Sequence, residues 1–218
     1  MPAFVGGASG TSGASTVVNQ TINYTPTPGN LVIVSIEITN ATAVSCADQN
    51  GNPLSGTISS GSAGLTVYLF YGIAIAGATS YKVSWTTAKK CTIAIAEYTG
   101  VAGIGNSGIN NTSATPVTIA LTTLGNNSLV VAGMATGAND TYTATSGIVR
   151  EQNTAGAGNA SSLAFVENQS ATPALVTLSA SLSTNAAGVE AALELLSPTL
   201  FTPPTISAEF HWGGGDGW

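Results

Sequence analysis

The segment PGNLVIV at 28–34 returns as LGNNSLVV at 124–131, and this echo constrains the fold more tightly than any single motif. Gly29 matches Gly125 and Leu31 matches Leu129, at offsets of 96 and 98 residues. Tyr81, Val83 and Trp85 fall on Leu178, Ala180 and Leu182, and Glu97 falls on Glu194, each at an offset of 97. Three segments keep one spacing to within a residue, in one order, which reads as two copies of a unit of about 97 residues. Repeat one spans about 15–100 and repeat two about 113–196.

The repeated unit carries strand signals. LVIVSIEI (31–38), LTVYLFYGIAI (65–75), YKVSW (81–85), CTIAIAEY (91–98), TPVTIAL (115–121), SLVVAGMA (128–135), SLAFVEN (162–168), ALVTLSASL (174–182) and GVEAALEL (188–195) are short, apolar, and mostly β-branched or aromatic. Turn formers such as TPTPGN, DQNGN, SSGSAG and GAND separate them. GVEAALEL has a helical composition, but Val189, Ala191, Leu193 and Leu195 alternate with Glu190 and Glu194, which predicts a strand. The expected fold is all-β: an antiparallel, jelly-roll-like β-sandwich of about ten strands over residues 1–197. Either each half closes its own sandwich or the halves interlock into one. Strands such as 31–38 are apolar on both faces and need cover on both sides. The stretch VAGIGNSGINNTSA (101–114) reads as a short Gly/Asn-rich link without proline or charge, which favours the interlocked form.

PGNLVIV, the turn DQNGN, YLFYGIAIAGATSYKVSW and AEYTGV together resemble a β-sandwich module of tailed-phage virion proteins, with similar stretches in large bacterial surface proteins. The resemblance covers about residues 15–196 and is one of pattern. It implies a structural or adhesive role in a tail fibre, a tail-associated protein or a capsid-decorating protein, located in a virion or outside cells.

Composition narrows the partners. Charged residues are 6% of the chain, four of them cations (Lys82, Lys89, Lys90, Arg150), and the net charge is −6. A nucleic-acid footprint needs a basic stripe, and an electrostatic membrane anchor needs a basic cluster; neither is available. No apolar run reaches the roughly 18 residues of a membrane helix, and MPAFVGGASG lacks the basic and apolar regions of a secretory signal. Cys46 and Cys91 form an even pair; a disulfide between them would close a loop worth roughly 4 kcal/mol, and two buried thiols are the alternative.

Catalytic chemistry finds little support. The one histidine, His211, sits in a Gly-rich tail, away from any G-x-S-x-G elbow. Glu190 and Glu194 share a strand face at roughly 13 Å, too far for a glycosidase pair. Glu97 and Glu194, at equivalent repeat positions, read as solvent-facing charges that discourage aggregation; the alternative is a meeting across a pseudo-twofold axis. GIGNSG (103–108) matches a dinucleotide-binding fingerprint but no helix follows. Asp48, Asn50 and Asn52 resemble a calcium loop that lacks its closing glutamate, and an Asn-Gly turn explains them equally. Tyr68, Phe70, Tyr71 and Trp85 read as core, with sugar stacking as the competing use. No cofactor or metal is expected.

After Leu196 the chain carries Pro198, Pro203 and Pro204, which oppose a central strand and favour extended geometry. An arm over 198–218 is expected, with Leu200, Phe201, Ile206, Phe210, Trp212 and Trp218 as apolar beads that bind a partner. The sequence therefore points to a non-enzymatic structural or assembly protein, a homo-oligomer or a subunit among other virion proteins. A carbohydrate- or cell-surface-binding adhesin with a glycan partner is the alternative.

Overall fold

The computed structural model of the chain describes residues 1–62, 64–154 and 161–198. Sixteen antiparallel strands form among them. The first eight are β1 (Ala3–Thr11), β2 (Val17–Asn23), β3 (Leu31–Ile38), β4 (Ser45–Asp48), β5 (Gly56–Ser62), β6 (Leu65–Ile73), β7 (Ser80–Lys89) and β8 (Cys91–Thr99). The second eight are β9 (Gly103–Thr112), β10 (Val117–Thr122), β11 (Ser128–Thr136), β12 (Tyr142–Ser146), β13 (Ile148–Asn153), β14 (Ser162–Ser170), β15 (Leu175–Leu182) and β16 (Gly188–Leu196).

The repeat in the sequence is a repeat in topology. The first half makes a five-stranded sheet, β1-β8-β3-β6-β5, and a three-stranded sheet, β2-β7-β4. The second half makes β9-β16-β11-β14-β13 and β10-β15-β12, the same orders with every strand advanced by eight. Register repeats too: Val32 lies opposite Glu97 as Val130 lies opposite Glu194. Strand neighbours 1-8-3-6 facing 2-7-4 are those of a jelly roll, with β5 paired to β6 on the edge of the larger sheet.

Among the described residues every ladder joins strands of the same half, so the halves do not interlock; each closes its own sandwich. The stretch at 101–114 is no link either. Most of it is β9, whose residues from Gly103 to Thr112 pair with β16 from Leu196 to Gly188.

The two sandwiches stack through their five-stranded sheets, giving four layers and three cores. Val32, Val34 and Ile36 of β3 pack with Tyr81, Val83 and Trp85 of β7 inside the first sandwich. Val130, Ala132 and Met134 of β11 pack with Ile119, Leu178 and Ala180 inside the second. Leu31, Ile33, Leu69 and Tyr98 meet Val131, Phe165, Ala191 and Leu193 in the central core between them. That is why strands such as β3 and β11 are apolar on both faces: each is covered on both.

The halves are related by a pseudo-twofold axis. Ser60 Oγ of β5 donates to the Asn110 carbonyl of β9 at 2.8 Å, and on the other flank Ser9 Oγ of β1 donates to the Gln152 carbonyl of β13 at 3.2 Å. Ser35 and Gly133, equivalent positions at an offset of 98, face each other between them; a Cβ on Gly133 would lie 2.5 Å from Ser35 Oγ. Phe4 at the start of β1 meets Arg150 of β13, beside the end of β14 and so near the start of β11, while Thr92 meets Ser161 at the opposite end. Both sandwiches therefore run the same way, and the stack has two distinct ends. The end where β3 and β11 begin, called proximal here, holds Met1 and the exit of the chain at Ser197–Pro198.

Candidate functional site: the proximal end

Two buried glutamates build the proximal end. Glu97 of β8 is 2% exposed and faces the inside of the first sandwich. It accepts hydrogen bonds from the Tyr24 hydroxyl (2.8 Å), the Thr27 amide (2.9 Å) and the Asn30 side-chain amide. Glu194 of β16, fully buried, accepts from the Leu124 and Gly125 amides (2.8 and 2.9 Å), the Ser128 hydroxyl (2.7 Å) and the Asn106 amide (3.0 Å). In each half the carboxylate thus clasps the turn that leads into the central strand, PGN before β3 and LGNN before β11. Burial alone would raise both carboxyls, but these donors outweigh it and hold both below the ordinary glutamate value.

Close approach is permitted by bulges and glycine. Register slips between Phe4 and Gly6 in β1 and between Leu193 and Leu195 opposite β9, at matching places beside the two glutamates. A Cβ at Gly105 would collide with the Glu194 carboxylate. The expectation that Glu97 and Glu194 are solvent-facing is therefore corrected: the three-stranded sheets cover that face. Nor do the two meet across the pseudo-twofold axis, since each is committed to its own half.

Apolar surface gathers at this end. Of the nine exposed large apolar side chains among the described residues, six line or rim it: Met1, Ile73, Ile75, Leu124, Ile148 and Leu175. Ile73 closes β6, Ile75 follows it, Leu124 follows β10 and Leu175 opens β15. Between them are three grooves. One of about 630 Å3 is walled by Met1, Leu124–Asn127 and Leu196–Pro198. A second, of about 240 Å3, lies among Leu31, Tyr71, Ile73 and Val101–Ile104. The third, of about 570 Å3, runs along Met1–Phe4, Ile148, Arg150 and Glu167–Gln169. In the third, Arg150 bridges the buried Glu167 at 2.6 Å and lies 5.2 Å from the Phe4 ring, which meets Tyr98 edge-on at 5.8 Å. This train of contacts ties the second half to the first.

The remaining candidates are structural. Cys46 of β4 and Cys91 of β8 are both thiols buried in the first sandwich, and burial pushes both up to about 12. Asp48 Oδ1 accepts the Asn50 and Asn52 amides, both at 2.9 Å, and its other oxygen accepts the Asn52 side chain, so its carboxylate is occupied by its own turn. GIGNSG forms the start of β9. Phe70 and Trp85 are core residues, and Tyr68 stacks on Phe70 with centroids 6.1 Å apart. Leu200, Phe201, Ile206, Phe210, Trp212 and Trp218 lie outside the described residues, as does His211.

Sequence reasoning missed two further buried acids. Glu37 of β3 is 1% exposed in the central layer, where burial pushes its carboxyl up to about 7 against hydrogen bonds from Ser161 and Thr39 that lower it. Glu190 of β16 is fully buried, neither oxygen has a partner in normal hydrogen-bond geometry, and burial raises it to about 7 with only partial relief from Thr112. Comparison of the chain with protein-family models, curated proteins and solved structures finds no match.

Proposed function

We propose that this chain is a non-enzymatic structural subunit of a phage-like virion or an extracellular assembly, which binds neighbouring subunits through its proximal end and C-terminal arm. The observation that carries the reading is convergence: Met1, Ile73, Ile75, Leu124 and Leu175 lie exposed at the end from which the chain leaves at Pro198. Each large side chain moved from water into an interface contributes about 1.5–3 kcal/mol. Exposed apolar groups gathered with a chain terminus bearing six more supply what a subunit contact needs. Support also comes from the buried carboxylates, since Glu97, Glu194 and Asp48 are committed to holding turns. Jelly rolls serve in viral capsids and in lectins, an analogy of fold that fits the reading without deciding it. Against the adhesin alternative, Phe70 and Trp85 are packed inside and present no face to a sugar ring.

The test compares the full chain with one ending at Pro198, by light scattering during size-exclusion chromatography. The full chain is expected to run as a multimer and the shortened chain near its single-subunit mass. A full chain that stays at 21.6 kDa at every concentration would overturn the reading.

A further inference from the structure

We infer that the groove beside the chain's exit is the acceptor for the arm, residues 199–218, of a second copy; this rests on the assembly reading above. The groove, of about 630 Å3, is walled by Met1, Leu124, Gly125, Asn127, Leu196 and Pro198, whose side chains carry no charge. Its size lies within the roughly 300–1,000 Å3 of pockets that enclose ligand-sized groups. Leu124, on its lip, is 61% exposed, and Leu175, across the β10–β15 end, is 67% exposed. Such a lining calls for an occupant that is apolar and nearly uncharged. The arm is one: it holds Leu200, Phe201, Ile206, Phe210, Trp212 and Trp218 against two carboxylates, Glu209 and Asp216. An aromatic side chain buries about 150–250 Å2, so Phe201, Phe210, Trp212 and Trp218 together offer roughly 600–1,000 Å2 to a partner.

The assembly reading, in which the arm binds a neighbouring subunit, makes the occupant another copy's arm. Ser197 and Pro198 are themselves part of the groove wall, so each copy presents a groove at the same end as the last described residues before the arm. Because every copy carries both an arm and a groove, the contact is head-to-tail or reciprocal and extends or closes an assembly with no second kind of subunit.

Reciprocal complementation tests this. One chain keeps its arm and carries Leu124→Glu, a charge on an already exposed lip. The other ends at Pro198 and keeps its groove. Each alone is expected near single-subunit mass, and the equimolar mixture is expected to form a complex of the two. The arm-side variant F210A/W212A, in the full chain, is expected to weaken association at least tenfold, which keeps the inference testable should L124E fail to fold. If L124E assembles like the unaltered chain while the shortened chain does not, the groove is not the acceptor, although the assembly reading stands. Association by F210A/W212A at unaltered strength, or a mixture that stays dissociated, also overturns the inference. A full chain that never associates overturns both.

Discussion

Four buried glutamates show how much a carboxylate's neighbours decide. Glu97 and Glu194 meet three and four donors and stay ionised, whereas Glu37 and Glu190 meet too few to offset burial and are held protonated up to about pH 7. Glu37 faces Thr92 and Ser161, with Thr39 beside it and Cys91 and Tyr142 within electrostatic reach; none of these carries a positive charge. The consequence for stability has a definite sign. Below about pH 4.5 Glu37 and Glu190 are protonated folded and unfolded alike, and they cost nothing. As pH rises from about 4.5 to about 7 the unfolded chain ionises them while the folded chain does not, so stability falls, then levels off. At about 1.4 kcal/mol per pH unit, each costs the folded state up to about 3 kcal/mol above pH 7. Asp48, Glu97 and Glu194 act oppositely: their contribution is present above the ordinary carboxylate range and is lost as acid protonates them. E37Q and E190Q should therefore melt like the unaltered chain at pH 4 and several degrees higher at pH 8. Equal melting temperatures at pH 8 would show that neither carboxyl is raised. The alternation of Glu190 and Glu194 with apolar residues was legible as a strand, but not the burial of their face, because a single strand does not reveal whether a second sheet covers its polar side.

Among elements, position in the sheet decided what the sequence disclosed. The eight inner strands, β3, β6, β7, β8 and their partners β11, β14, β15, β16, all stand out as apolar runs, since each is flanked by strands on both sides and needs cover. Seven of the eight edge strands do not. β5 (GTISSGS), β9 (GIGNSGINNT) and β1 (AFVGGASGT) are built from Gly, Ser and Asn, which carry little β signal and occur equally in loops. This is why about ten strands were expected where sixteen occur, and why β9 read as a link. β9 is held by more than its ladder: the Asn106 and Asn110 side chains donate to the Thr122 and Thr118 carbonyls of β10 at 2.7 and 2.6 Å, fastening one sheet's edge to the other's. The clasped turns are elements in the same sense, since one carboxylate fixes the entry into each central strand. Replacing Glu194 with Gln puts an amide donor where an acceptor is needed, against the Leu124, Gly125 and Asn106 amides that the carboxylate now receives. A loss of about 2–3 kcal/mol is expected for E194Q, and a similar one for E97Q, by urea unfolding at pH 7. A loss below about 0.5 kcal/mol would mean that water, not the carboxylate, satisfies those turns.

For the whole molecule, duplication sets the energetics. The central core takes apolar side chains from both halves, so neither sandwich keeps its five-stranded sheet covered on both faces without the other. The sequence exposed this need through strands apolar on both sides, yet could not say whether the cover came from interlocking or stacking, because both satisfy it. Stacking makes a testable demand on the axis, where Ser35 and Gly133 face each other and the missing side chain of Gly133 makes room for Ser35 and Leu69. A Cβ there would lie 2.5 Å from Ser35 Oγ and 2.7 Å from a Leu69 methyl, and both belong to the tightly packed centre rather than to a flexible rim. G133V should therefore force the two sandwiches apart while leaving the core inside each sandwich intact. Overpacking of this kind costs about 1–3 kcal/mol. Because the central core couples the halves, the unaltered chain is expected to unfold in calorimetry as a single transition with equal van't Hoff and calorimetric enthalpies. G133V should lower the midpoint and broaden or divide the transition as the halves begin to melt separately. If the unaltered chain already shows two transitions, and G133V moves neither, the stack is two independent sandwiches joined only by residues 100–102, and the shared core contributes little to holding them.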